Sequence, residues 1–126
     1  MVKRILVVED YEDTREMFKV MLESQGYEVL QVDNGFDAVE IALKALPDII
    51  LMDMSLPGLD GCQATRRIRA QPDTKGIPII ACSAHNQWEW RAKALLAGCT
   101  EFVRKPVDFA SLNSLLTRVL PPSASP

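Results

Sequence analysis

Soft-metal and thiol chemistry have little to work with in this chain, which holds 3 cysteines and 1 histidine. Cys62, Cys82 and Cys99 are odd in number and far apart, so no disulfide framework or Cys/His ligand set can be drawn, and they read as reduced, packed thiols. No apolar run approaches the ~20 residues of a transmembrane helix. Met1-Val2-Lys3-Arg4 leads straight into the apolar run Ile5-Leu6-Val7-Val8, too short for a signal-peptide core, so the expectation is a cytoplasmic protein with no membrane partner. No basic cluster stands out from a net charge of −3, which argues against direct binding of nucleic acid. The loop after the first apolar run, Glu9-Asp10-Tyr11-Glu12, lacks the glycine, serine or threonine of a phosphate-cradling turn. An acidic loop repels phosphate unless a metal intervenes, which counts against a flavin or dinucleotide carrier.

What is present is a packed single domain: 126 residues, 48% hydrophobic. Short apolar runs alternate with helical periodicity. Strands are predicted over Arg4–Val8, Tyr27–Val32, Ile49–Met52, Ile77–Cys82 and Phe102–Arg104. The first helix carries Thr14, Met17, Phe18, Met21 and Leu22 at helical spacing, with Asp13 and Glu16 as a capping box and Gly26 as its stop. Met17 and Met21 are expected in the core. Further helices are predicted over Phe36–Leu46, from the cap Asp60 to Ala70, over Trp88–Ala97 with Gly98 as stop, and over Asp108–Leu120. Arg66, Arg67 and Arg69 read as a solvated helix face. The ordered domain is expected over residues 1–120, and Pro121–Pro126 as a disordered tail. Strict alternation implies an α/β fold, a doubly wound, flavodoxin-like parallel sheet of order 2-1-3-4-5 with five helices.

That order puts the crevice between strands 1 and 3, where Glu9-Asp10 and Asp53 end their apolar runs. Crowded carboxylates repel unless a cation neutralises them, and an all-oxygen set suits Mg²⁺ or Mn²⁺. Glu9, Asp10 and Asp53 are the expected ligands, direct or through water, with the backbone carbonyl of Ser55 as a further one. Ser83 follows the fourth run with a hydroxyl, and Lys105 follows the fifth with a fixed charge that suits a phosphate oxygen or a carboxylate. A carboxylate nucleophile, a divalent cation and a fixed positive charge are the parts needed to make an aspartyl phosphate.

Glu9-Asp10, the run from Leu51 through Asp53 to Gly61, Ser83-Ala84, Ala97-Gly98 and Phe102-Val103-Arg104-Lys105-Pro106 together resemble the receiver domain of two-component response regulators, over residues 3–120. The resemblance implies that Asp53 is the phosphoacceptor, Glu9 and Asp10 the acidic metal pocket, and Ser83 the switch hydroxyl. Phe102 would be the switch aromatic, Lys105 the phosphate-contacting lysine, and Lys105–Pro106 a cis peptide. It implies a phosphohistidine donor on a histidine kinase or phosphotransfer protein, later hydrolysis of the phosphoryl group, and an effector protein on the face of helix 4, strand 5 and helix 5. The chain would be a monomer or a weak, phosphorylation-dependent homodimer. Glu9 stands where aspartate is common and Ser83 where many members have threonine. Phe102 has no phenolic hydroxyl, so its rotation would be governed by packing.

Ser55, Ala84 and His85 flank the expected pocket mouth. His85 reads either as tuning the access of hydrolytic water together with Ser55 or as an exposed loop histidine. Trp88 and Trp90 lie ~200° apart on their helix, so one faces outward, either toward a partner or over the helix's own apolar edge. A phosphatase of the haloacid-dehalogenase class also forms an aspartyl phosphate, but it needs Asp-x-Asp after the first strand, which Glu9-Asp10-Tyr11-Glu12 lacks. A pseudo-receiver that binds without phosphorylation is the other reading.

Overall fold

The computed structural model describes residues 2–84 and 88–120; the side chain of Trp88 is also outside the description. The expectations on His85, on the outward face of Trp88 and on the 121–126 tail therefore lie outside the described residues. In chain order the elements are β1 (Arg4–Val8), α1 (Glu12–Ser24), β2 (Glu28–Val32), α2 (Gly35–Ala45) and β3 (Ile49–Asp53). They continue with α3 (Gly61–Arg69), β4 (Ile79–Ser83), α4 (Trp88–Ala97), β5 (Glu101–Arg104) and α5 (Phe109–Val119). The five strands form one parallel sheet in the order β2-β1-β3-β4-β5, as the alternation predicts.

The strand period of two divides the core into two layers. Leu6, Val8, Ile50, Met52, Ile79 and Ala81 pack on one face, with Ala38 and Ala42 of α2, Ala64 and Ile68 of α3 and Ala94 of α4. Ile5, Val7, Ile49, Leu51, Ile80 and Cys82 face the other way, toward Phe18 and Leu22 of α1 and Leu112, Leu115 and Leu116 of α5. Every residue of β3 and β4 is buried, which is why both read as continuous apolar runs rather than alternating ones. Phe18 and Phe109 meet edge to face at 5.7 Å and lock α1 to α5.

Element ends follow local chemistry, with corrections. Helix α3 starts with the capping box of Asp60 and Gln63, and Asp108 caps α5. Gly26 and Gly98 stop α1 and α4 as expected, each with a pair of backbone bonds to the last turn. The expected capping box of Asp13 and Glu16 does not form. The helix begins earlier, the Arg15 N–H donating to the Tyr11 carbonyl at 2.9 Å. Glu12 and Asp13 instead occupy its first turn, where carboxylates suit the helix dipole. Strand β4 starts at Ile79, because Pro78 has no N–H for the ladder and Ile77 bonds back to the turn at Thr74. Helix α2 stops at Ala45: Pro47 disfavours a helical residue before it, and Leu46 takes the left-handed conformation at φ 48°. Met17 is 48% exposed, not core, because Phe18 and Leu22 carry the inward face of α1. Arg69 is no solvated residue. It donates from Nε to the Gly98 carbonyl at 2.8 Å and from Nη1 to the carbonyls of Lys75 and Ile77 at 3.0 and 2.6 Å.

Candidate functional site

Parallel strands bring their carboxyl ends to one edge, and the strand order reverses between β1 and β3. Glu9 follows β1, Asp53 ends β3, Ser83 ends β4 and Lys105 follows β5. The fold thus gathers at one crevice side chains that are far apart in sequence.

Lys105 is the bridge. Its Nζ donates to Glu9 Oε1 at 2.5 Å and lies 3.3 Å from Asp53 Oδ2. The other oxygens are held by backbone: the Ser55 N–H donates to Asp53 Oδ1 at 3.0 Å, and the Tyr11 N–H to Glu9 Oε2 at 3.2 Å. Glu9 itself is fixed through its N–H to the Val32 carbonyl at 3.1 Å, and through its carbonyl, which accepts from Arg15 Nη1 at 3.0 Å. Glu9 and Asp53 are 2% and 4% exposed, so both carboxylates have lost most of their water. Asp10 is exposed, yet a carboxylate oxygen from each of Glu9, Asp10 and Asp53 lies within 4.8 Å of the others.

This crowding sets the electrostatics. Burial pushes the Glu9 carboxyl up to about 7; the Lys105 ammonium and the Tyr11 N–H oppose the rise, and the neighbouring Asp53 adds to it. Burial by itself would weaken the Lys105 charge, but its bond to Glu9 and the pull of Asp53 outweigh that and raise its pKa. Burial pushes the Cys82 and Cys99 thiols up to about 12 and about 11, so both stay protonated. Cys62, Cys82 and Cys99 are all free, in keeping with packed thiols.

The donor set fits a hard divalent cation. It is all oxygen, it converges, and its negative charge exceeds what one lysine balances. Of the other expected site residues, Ser83 is fully buried, and its carbonyl accepts the Lys105 N–H at 2.8 Å. Phe102 is half-buried, sits opposite Ala81 and packs against the layer under α4. Ser55 and Ala84 are exposed. The contact described for Ser55 is its N–H on Asp53, not its carbonyl. The Lys105–Pro106 peptide is cis.

Sequence reasoning gave no role to two residues that position this site. Arg15 reaches from α1 to the Glu9 carbonyl, a contact that nothing in the local sequence announces. Gly61 opens α3 against the backbone of β3, where an added Cβ would lie 2.4 Å from the Asp53 carbonyl oxygen. Its signal was there in a glycine directly after the helix cap Asp60.

Known proteins share this fold. The family pattern described as the response regulator receiver domain matches residues 5–117. The chain is 38% identical to the protein PilH of Pseudomonas aeruginosa, over 93% of this chain and 97% of that one. Among solved structures, the receiver domain of a sensor histidine kinase from Pseudomonas aeruginosa PAO1 superposes with a TM-score of 0.88 and 41% identity, over 94% of this chain and 97% of that one. That structure has a magnesium ion coordinated in its active-site cleft. The chemotaxis protein CheY4 of Vibrio cholerae superposes with a TM-score of 0.90 and 29% identity, over 95% of this chain and all of that one.

Proposed function

The chain belongs to the response regulator receiver domain family, and we propose that Asp53 accepts a phosphoryl group from a phosphohistidine on a histidine kinase or phosphotransfer protein. The P–N bond of the donor breaks as a P–O bond forms to a carboxylate oxygen of Asp53, and the imidazole leaves. Burial strips Asp53 of competing water, while the Ser55 N–H fixes one of its oxygens and so its orientation. Lys105, already held between Glu9 and Asp53, neutralises charge on the incoming phosphoryl oxygens. Glu9, Asp10, Asp53 and the carbonyl of Ser55 would hold Mg²⁺ or Mn²⁺. Such an ion, when bound, supplies positive charge to the phosphoryl oxygens and relieves the repulsion among the carboxylates.

Ser83 then serves as the hydroxyl that bonds the new phosphoryl group, and Phe102 turns inward as Ser83 moves. The surface of α4, β5 and α5 changes with it, and an effector protein reads that change. Hydrolysis of the acyl phosphate resets the site, with Ser55, Ala84 and His85 setting how readily water enters. The domain in this reading is residues 1–120, and it works in the cytoplasm. Among the described residues no helix is long and apolar enough to cross a membrane.

The observation that carries the reading is the lysine shared by two buried carboxylates, one of them at the end of β3. Incubation with acetyl phosphate and Mg²⁺, followed by intact-mass measurement, tests it. Wild type is expected to gain one labile phosphoryl group and Asp53→Asn none. Equal incorporation by both would remove Asp53 from the role.

A further inference from the structure

Helix α2 begins against the β3–α3 segment that carries Ser55. Its first residue, Gly35, is buried, and a Cβ added there would lie 2.2 Å from the Leu59 carbonyl oxygen and 3.1 Å from the Leu59 Cβ. Only a residue without a side chain lets the two backbones come so close. The next residue, Phe36, is 56% exposed, yet its ring reaches Gly58, where an added Cβ would be 3.6 Å from Phe36 Cε2. The Arg67 guanidinium of α3 stands 5.5 Å from the centre of that ring and steadies it by a cation–π contact. Gly58 and Leu59 are thus braced by the start of α2.

The helix is the firm side of this contact. Asn34 caps it, accepting the Asp37 N–H at 2.8 Å, and Ala38 and Ala42 are fully buried in the core layer. The segment is the softer side, because Ser55, Pro57 and Gly58 are exposed. Its ends are fixed. The Met54 N–H donates to the Cys82 carbonyl at 3.0 Å, and an added Cβ on Gly61 would lie 2.4 Å from the Asp53 carbonyl oxygen. A push on Leu59 must be taken up between those ends, and that span includes Ser55, whose N–H holds Asp53 Oδ1 at 3.0 Å. Resting on the proposed part of the Ser55 carbonyl in holding the cation, we infer that Gly35 and Phe36 are positioning residues for the phosphoacceptor site. By bracing the β3–α3 segment they keep the Ser55 N–H on Asp53 and set the place of the Ser55 carbonyl, much as outer-shell partners orient the ligands of a metal. Neither residue touches the reacting atoms.

The test uses the full chain with Mg²⁺ alone as ligand. Mg²⁺ affinity is measured by calorimetry, hydrogen exchange of the Ser55 amide by NMR on the metal-free chain, and global stability by urea denaturation. Gly35→Ala is expected to weaken Mg²⁺ binding about tenfold and to speed exchange of the Ser55 amide. Phe36→Ala should move both readouts in the same direction by less, with little change in the urea midpoint, because the ring is exposed. Phe36→Tyr keeps the ring and should restore both. Leu43→Ala, also partly exposed but at the far end of α2, should move neither.

Wild-type Mg²⁺ affinity and wild-type Ser55 exchange in Phe36→Ala would overturn the inference. So would equal losses in Leu43→Ala, which would mark a general loosening of α2. If Gly35→Ala does not fold, Phe36→Ala against Phe36→Tyr decides the matter. A wild-type chain that bound no Mg²⁺ would overturn the metal reading instead, and exchange of the Ser55 amide would still decide the brace.

Discussion

Lys105 and Glu9 stand 96 residues apart in the chain and 2.5 Å apart in the fold. Their contact spans the carboxyl ends of β1, β3, β4 and β5, and the ammonium opposes the rise that burial imposes on the Glu9 carboxyl beside Asp53. Removing the lysine leaves two desolvated carboxylates facing each other. Lys105→Ala is expected to lower metal-free stability by about 2 kcal/mol, somewhat less than a fully buried pair would lose because the lysine keeps some exposure. Mg²⁺ should restore part of it. Urea denaturation with and without Mg²⁺ measures both effects; an unmoved midpoint would count against the bridge.

Asp10→Ala should act in the opposite sense on stability. It removes the exposed member of the carboxylate cluster, so repulsion falls and the metal-free protein melts higher. The same change removes a proposed metal ligand, so Mg²⁺ affinity and the rate of phosphorylation from acetyl phosphate are both expected to fall. Equal melting temperatures and equal Mg²⁺ affinities would speak against a shared cluster.

The raised Glu9 carboxyl gives a pH signature. Its pKa in the fold is about 7, above the ordinary 4.5, so the folded state holds the proton more tightly than the unfolded chain. The stability linked to that proton is fully present below pH 4.5 and is lost as pH rises to 7. Metal-free wild type should therefore lose on the order of 3 kcal/mol relative to Glu9→Gln across that interval. Parallel stability curves for the two proteins would show that Glu9 ionises freely.

Arg69 ties three carbonyls together, including that of Gly98 at the end of α4. Arg69→Ala should cost about 2–3 kcal/mol in thermal unfolding, and Arg69→Lys should recover little, since an ammonium cannot span the same acceptors. Full rescue by lysine would reduce the role of Arg69 to its charge.

The switch is checked by tryptophan emission. Trp90 is half-buried on α4, with Lys93 Nζ 5.1 Å from its ring centre. Beryllofluoride with Mg²⁺ should change the emission of wild type and leave Asp53→Asn unchanged. An unaltered spectrum, with still amides in α4 and β5, would mean a phosphoacceptor without the proposed switch.

The parts of this architecture legible in the sequence are those set by local pattern. Strands buried on both faces, such as Ile49–Asp53, show as unbroken apolar runs, and glycines or an aspartate cap mark helix ends. The acidic and basic residues at strand ends could be read because the alternation of elements fixes which edge they share. The start of α1 could not, because Tyr11 is held by the side chain of Glu9 rather than by a cap of its own. Nor could the outward turn of Met17, since helical spacing alone leaves the phase of the stripe open by about one residue. The contacts of Arg15 and Arg69 run from side chain to backbone across turns or between elements, and leave no trace in periodicity.

The two-layer core also decides where this chain can change length. Odd and even positions of each strand belong to different layers, so deleting one residue within Ile49–Asp53 would turn the rest of that strand inside out. Cβ atoms shaped for the α2, α3 and α4 layer would be pressed against α1 and α5, and Asp53 would be drawn back from the edge it shares with Lys105. Length variation is therefore confined to the connections. A change of length between Gln71 and Pro78 would keep the parity of every strand but would disturb the buried Thr74 and the carbonyls of Lys75 and Ile77 that Arg69 holds, whereas the strand interiors must keep their residue count even as their side chains are exchanged.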